Sequence, residues 1–123
     1  MIGYVTIGTN DIEKSKAFWC DLLEELGASV VMDAGRIAFI GNGSEKAMLA
    51  VCTPYDENAP HPGNGAMVAI DPGSKEMVEK LYARALELGA TSDGEPGQRI
   101  PDMFYGAYFK DPDGNKACFY QFA

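Results

Sequence analysis

The stretch YVTIGTNDIEKSKAFWCDLLEELGA, residues 4–28, decides the fold because a related stretch, MVAIDPGSKEMVEKLYARALELGA, follows at residues 67–90. Each copy starts with a strand-like run, passes through polar residues and continues into a helix-forming run that ends in ELGA. The offset is 63 residues at the strands (67 − 4) and 62 at the glycines (89 − 27), so the copies differ by one deleted residue. The chain is therefore predicted to contain two strand-helix repeats.

Helical periodicity places the apolar residues of each copy on one face. These residues are Ile12, Trp19, Leu22, Leu23 and Leu26 in the first copy, and Val78, Leu81, Tyr82, Ala85 and Leu88 in the second. We expect Thr9 or Asn10 to be the N-cap of the first helix and Ser74 that of the second. Gly27 and Gly89 stand where a left-handed C-cap is expected.

Three short strands are predicted after each helix. They are ASVVMD, RIAFIG and KAMLAVCT in the first half, and ATSDG, FYGAYFK and NKACFYQF in the second. The turn formers of DPDGN, residues 111–115, predict a β-hairpin between the last two strands. The predicted fold is α+β: one domain, residues 1–123, with two β-α-β-β-β units at 1–54 and 65–123 joined by a Pro- and Gly-rich linker at 55–64.

Charge and cysteine content indicate which partners and which cellular compartment to expect. The chain has 123 residues and a formal net charge of -8, and its basic residues form no stripe along a predicted element. Nucleic acid and anionic membranes are therefore not expected partners. Cys20, Cys52 and Cys118 are odd in number and lack CxxC spacing, which indicates reduced thiols and a cytoplasmic protein. No window approaches the length of an apolar membrane span.

Three motifs cover nearly the whole chain: YVTIGTNDIEKSKAFW at 4–19, GNGAMVAI at 63–70 and FYGAYFKDPDGNK at 104–116. Together with the repeat they resemble the vicinal oxygen chelate superfamily, which includes glyoxalase, bleomycin-resistance and extradiol-dioxygenase proteins. The resemblance implies that each four-stranded unit curls into a half-cup and that the paired halves enclose a ligand or metal site. It also implies a homodimer.

The resemblance further implies where metal ligands would stand, because the family's metalloenzymes place His or Glu on the first and last strand of each half. Those positions fall on Tyr4, Ala50, Met67 and Cys118, and none of them is His, Asp or Glu. A phenol and a thioether are poor ligands for zinc, nickel or iron(II) beside a single thiolate. We therefore expect no metal and no other cofactor, which argues against glyoxalase I and extradiol dioxygenase chemistry.

Alternation along the strands extends the predicted cup. If Tyr4, Met67 and Cys118 face it, then so do Thr6, Ala69 and Tyr120. The opposite side, toward the helices, is then expected to carry Val5, Ile7, Val68, Ile70 and Phe119. A concave, largely apolar surface with a few polar groups suits a small apolar or aromatic ligand. Cys118 is expected to be a buried, inert thiol.

The segment GQRIPDMFYG, residues 97–106, is expected to be irregular and to border the cup. Loops on a rigid scaffold often supply binding groups, so Arg99, Asp102 and Tyr105 join Tyr4, Thr6, Ala50, Met67, Ala69, Cys118 and Tyr120 as candidate ligand-binding residues. Arg99 could hold a carboxylate or phosphate, and Asp102 could act as a base or orient the ligand.

Three functions remain open on the sequence. The first is a metal-independent small-molecule binding protein. The second is an enzyme, either a metal-free lyase or isomerase that uses Tyr4, Tyr120 or Asp102, or a metalloenzyme whose ligands lie elsewhere. The third is a homodimer whose role is interaction and whose cup is filled by its own side chains.

Overall fold

A computed structural model describes residues 1–43 and 46–123. The chain forms two compact units, Met1–Pro62 and Gly63–Ala123, each of which is described by itself. Both units follow the order β-α-β-β-β. The predicted α+β class and the repeated β-α-β-β-β pattern are confirmed.

The first unit contains β1 (Tyr4–Gly8), α1 (Ile12–Leu23) with a 3₁₀ turn at Glu24–Leu26, β2 (Ser29–Asp33), β3 (Ile37–Gly41) and β4 (Met48–Cys52). Its four-stranded sheet has the order β1-β4-β3-β2. β1 runs parallel to β4, whereas β4 with β3 and β3 with β2 are antiparallel. The sheet is therefore mixed, with β1 and β2 at its edges.

The second unit repeats this topology with β5 (Val68–Ile70), α2 (Lys75–Glu87), β6 (Thr91–Ile100), β7 (Phe104–Lys110) and β8 (Lys116–Gln121). Its sheet has the order β5-β8-β7-β6, and only β5 and β8 pair in parallel. The predicted hairpin joins β7 to β8, where Asp111 accepts hydrogen bonds from the backbone N–H groups of Asp113 and Asn115. Gly114 takes the left-handed conformation, with φ 89°.

The helix caps confirm one prediction and correct another. Ser74 caps α2, since its hydroxyl accepts a hydrogen bond from the Met77 backbone N–H. The N-cap of α1 is Asp11 instead of Thr9 or Asn10, and its carboxylate accepts from the Lys14 N–H. The Thr9 hydroxyl instead donates a hydrogen bond to the Asp11 backbone carbonyl and accepts one from the Asp11 backbone N–H. A carboxylate at this position is also stabilised by the positive end of the helix dipole.

Each helix packs against one face of its own sheet, and this contact forms the core of the unit. α1 buries Phe18, Trp19, Leu22 and Leu23 against β2, β3 and β4. α2 buries Val78, Leu81, Tyr82 and Ala85 against β6, β7 and β8. The predicted apolar faces are thus the packed ones, except that Ile12, Leu26 and Leu88 are only half-buried. Among the described residues, no helix is long and apolar enough to cross a membrane.

The strand β6 is longer than expected and changes the setting of one candidate residue. It continues past the predicted ATSDG to Ile100, with register shifts against β7 at three places. Bulges of this kind let a strand containing Gly94, Pro96 and Gly97 remain paired. The prediction of an irregular segment was therefore wrong for residues 97–100, and Arg99 lies on a strand.

Candidate functional site

The sheet face opposite α1 is called the first open face, and it is defined by Tyr4, Thr6, Phe39 and Ala50. Register places Thr6 beside Ala50 and Ala50 beside Phe39, so these side chains share one side of the sheet. The rings of Tyr4 and Phe39 meet edge to face, with centroids 4.8 Å apart. Ala50 is fully buried, whereas Tyr4 is 51% exposed. The predicted residues Tyr4, Thr6 and Ala50 therefore lie together.

The sheet face opposite α2 is called the second open face. Register aligns Ala69 with Cys118, Cys118 with Tyr108, and Gly106 with Tyr120. Alternation adds Phe104 on β7 and Lys116 on β8 to the same side. The predicted residues Ala69, Cys118 and Tyr120 are thus brought together on this face.

Three aromatic rings form a cluster on the second open face, and they belong to Phe104, Tyr120 and Phe122. Phe104 and Tyr120 stack with an interplanar angle of 4° and centroids 5.5 Å apart. Phe122 meets Tyr120 at 4.9 Å and Phe104 at 6.0 Å. The Phe104 ring lies over Gly106, where an added Cβ would come within 2.8 Å of it. Phe122 remains 74% exposed, so the cluster presents aromatic surface to solvent.

A cationic cluster lies beside these rings and consists of Arg99, Lys116 and Tyr108. The Arg99 guanidinium and the Lys116 ammonium each lie 5.3 Å from the centroid of the Tyr108 ring. Lys116 also pairs with Asp93 at 3.1 Å. Arg99 donates a hydrogen bond to the backbone carbonyl of Glu95. Cation–π contacts therefore hold two basic side chains on one tyrosine.

Two glycines make room for the Arg99 guanidinium. A Cβ added at Gly97 would come within 2.7 Å of one terminal nitrogen, and one added at Gly94 within 3.3 Å of the other. Gly94 also has φ +150°, which L side chains rarely adopt. The guanidinium consequently lies close to two positions of β6 that carry no side chain.

Cys118 is the predicted remnant of a metal-ligand position, and its environment is that of an inert thiol. The side chain is fully buried. Burial raises the pKa of Cys118 to about 11, although Lys116 and a backbone hydrogen bond from Ile70 act in the opposite direction. A thiol of this kind stays protonated at neutral pH and is a poor nucleophile.

Two predicted residues, Tyr105 and Asp102, lie apart from the two open faces, and Met67 lies just outside a strand. Tyr105 packs toward α2, where its hydroxyl donates to Glu79 Oε1 at 2.6 Å and its ring lies 5.1 Å from Lys75 Nζ. Asp102 is exposed in the turn between β6 and β7, with a left-handed φ of 54°. Met67 precedes β5 by one residue and is exposed. Tyr105 therefore does not belong to the lining set, because alternation on β7 points it to the helix side.

The same rule of alternation would have found residues that the sequence prediction missed. Tyr108 lies opposite Cys118 on β7, and Lys116 stands two residues before Cys118 on β8. Phe104 and Phe122 lie at the same even spacing along the two chain segments. The available signal was the spacing of alternate residues in FYGAYFK and KACFYQF. Pairing of Arg99 with Tyr108 could not be read in this way, because bulges in β6 interrupt its alternation.

The positions that the resemblance assigns to a metal do not fit one. Register supports the repeat alignment, since Ala50 lies opposite Thr6 and Cys118 opposite Ala69. These positions offer a methyl group and a buried thiol whose pKa is raised. Across residues 1–43 and 46–123, no group of three or more His, Cys, Asp or Glu side chains is arranged to hold a metal ion.

Comparison with known proteins agrees with this architecture. A glyoxalase/bleomycin resistance protein from Albidiferax ferrireducens T118 is 32% identical, with TM-score 0.86 over 98% of this chain and 97% of its own. A glyoxalase/bleomycin resistance protein/dioxygenase family enzyme from Burkholderia phytofirmans PsJN, 21% identical, has TM-score 0.80 over 98% of both chains.

A lactoylglutathione lyase from Agrobacterium tumefaciens shares the fold at TM-score 0.70 and 21% identity, over 98% of this chain and 92% of its own. The comparison with curated proteins finds no match. The family model for the Glyoxalase/Bleomycin resistance protein/Dioxygenase superfamily matches residues 1–119. The chain therefore belongs to the glyoxalase/bleomycin resistance protein/dioxygenase superfamily.

Proposed function

We propose that this protein binds a small aromatic or apolar molecule without a metal ion. The observation that carries the proposal is the aromatic cluster of Phe104, Tyr120 and Phe122 on the second open face. Its rings are ordered by contacts with one another, yet Phe122 is 74% exposed. Exposed, pre-ordered aromatic rings favour a planar apolar ligand, since stacking removes apolar surface from water at little entropic cost.

The chemistry of the family's metal positions supports binding over metal-dependent turnover. A divalent metal needs three or four hard or borderline ligands that converge and leave a position open for substrate. Tyr4 and Cys118 are the only assigned positions with an ionisable side chain, and the pKa of Cys118 is raised by burial. The side chains at Ala50 and Met67 bring no charge. The residues present therefore favour a ligand held by apolar contact and hydrogen bonds.

The proposal is tested on protein purified without added metal. Native mass spectrometry with elemental analysis reports bound metal and any co-purified ligand. Titration with small aromatic compounds, followed by amide chemical shifts, reports where they bind. We expect no stoichiometric divalent metal, and shifts that concentrate on β7, β8 and residue 122.

A pair of variants gives the control. Phe104→Ala removes half of the stacked pair, whereas Tyr55→Ala removes an exposed aromatic residue outside both sheets. Only the first is expected to weaken binding. Stoichiometric nickel, zinc or iron together with turnover that a chelator abolishes would overturn the proposal. If Phe104→Ala leaves the affinity unchanged, the aromatic cluster is not the binding site.

A further inference from the structure

We infer that the second open face binds an aromatic carboxylate, with Arg99 contacting the carboxylate and the cluster of Phe104, Tyr120 and Phe122 contacting the ring. This inference rests on the proposed function and adds the charge of the ligand to it.

The first argument is the charge state of Arg99. Lys116 is neutralised by Asp93 at 3.1 Å, whereas Arg99 has no carboxylate partner in the part of the chain that the structure describes. The Arg99 guanidinium contacts the carbonyl oxygen of Glu95 and the ring of Tyr108. An unpaired guanidinium is notable in a chain of net charge -8, because many carboxylates are available to pair with it. The positive charge is thus left for a group from outside the chain.

The second argument is that Arg99 is held in place before any ligand arrives. The Tyr108 ring supports one side, and the Glu95 carbonyl accepts one hydrogen bond. Gly94 and Gly97 leave space that a side chain would fill. A guanidinium has five N–H donors, so donors remain for a planar carboxylate, and a pre-ordered side chain loses less entropy on binding.

The third argument is the distance between the cation and the rings. Tyr108 and Phe104 lie on the same side of β7 with Gly106 between them, so Tyr108 is about 7 Å from Gly106 along the strand. The Phe104 ring covers Gly106 and stacks on Tyr120. Arg99 approaches from β6, the neighbouring strand. A ring that carries a carboxylate on a short chain can therefore contact both clusters at once.

The test compares 3-phenylpropionate with its uncharged amide, 3-phenylpropanamide, on the full chain. Dissociation constants are measured at low salt from the chemical shifts of the protein's backbone N–H groups. We expect the acid to bind about tenfold more tightly than the amide, the effect of one charge-assisted hydrogen-bonded pair. Arg99→Gln should remove this preference, so that the acid and the amide bind to the variant with equal affinity.

Arg84→Gln is the matched control, since Arg84 is an exposed arginine on α2 paired with Glu87. It should leave the preference intact. Equal binding of acid and amide by the unaltered protein overturns the inference and leaves the proposed function standing, and this comparison needs no variant to fold. Binding of neither compound overturns both. A preference that persists in Arg99→Gln overturns the assignment of Arg99.

Discussion

The two units share one topology and differ in what their open faces carry. The strands of the first unit, YVTIG, SVVMD, IAFIG and MLAVC, contain two aromatic residues and no Lys or Arg. The strands of the second unit contain six aromatic residues, and also Arg99, Lys110 and Lys116. The backbone pattern is thus common to both units, whereas the aromatic and basic strand residues are concentrated in the second.

The helix-sheet cores of the two units should be equally important for stability, and this gives the largest expected effect. Trp19 in the first unit and Phe119 in the second are fully buried. Replacing either by Ala should lower the free energy of unfolding by about 3–5 kcal/mol, measured by urea denaturation. A loss below about 1 kcal/mol in one variant alone would show that the two cores are not equivalent.

The hairpin turns should differ between the units. Asp111 is buried and accepts hydrogen bonds from the N–H groups of Asp113 and Asn115 and from the Asn115 side chain. Asp111→Ala leaves these donors unsatisfied and should cost about 2–3 kcal/mol of unfolding free energy.

The matched variant is Asp33→Ala, at the exposed end of β2, where the carboxylate accepts a hydrogen bond from the Gly35 N–H and pairs with Lys16. Its loss of stability should be smaller because water can replace these contacts. An equal loss in both variants would contradict the difference in burial.

Cys118 gives the second unit a pH dependence that Ala50, its counterpart, cannot have. Its ordinary pKa of 9.0 rises to about 11 in the folded chain because of burial. The unfolded chain therefore loses its proton first, and stability is unaffected below about pH 9 and falls as pH rises toward 11. The loss attributable to Cys118 should be at most about 3 kcal/mol, since the pKa rises from 9.0 to about 11.

Other groups titrate in the same range, so the readout is the difference between the unaltered protein and Cys118→Ala. Thermal or urea unfolding across this pH range should show the steeper fall only in the unaltered protein. Parallel curves would show that the folded thiol ionises normally.

The open faces should differ in ligand affinity. Phe104→Ala should weaken binding of a small aromatic compound about tenfold, because it removes one ring of a stacked pair worth about 1 kcal/mol beyond its area. Tyr4→Ala, on the first open face, should change affinity by about twofold or less. The two dissociation constants are compared by fluorescence or chemical-shift titration. A larger effect of Tyr4→Ala would move the site to the first unit.

The edge strands β2 and β6 differ in how well they could pair with a second chain, and the smallest expected effect concerns dimerisation. β2 is an edge strand with Val30, Val31 and Met32 exposed, whereas the edge strand β6 carries Asp93, Glu95 and Pro96, which oppose strand pairing. We propose that the chain forms a homodimer and expect Met32→Asp to weaken it by about tenfold or less, since one exposed apolar contact is lost. Sedimentation at micromolar concentration measures this, and a monomeric unaltered protein would contradict it.

Much of the fold could be predicted from local patterns. Apolar spacing located α1 and α2, Ser74 and DPDGN marked a cap and a turn, and the repeat predicted the shared topology. The end of β6 could not be predicted, because Gly94, Pro96 and Gly97 are typical of loops. Pairing with β7 overrides that preference by satisfying the backbone hydrogen bonds of the strand.

The sequence by itself determined the repeat, the α+β class and the chemical nature of the family's metal positions, because these depend on residue order and identity. Only the tertiary structure decided which side chains meet. Tyr105 lies on the helix side of its sheet, and Arg99 on the bulged strand β6 reaches the ring of Tyr108 on the neighbouring strand β7. Contacts between side chains depend on strand pairing and register, since a shift of one residue moves a side chain to the other face.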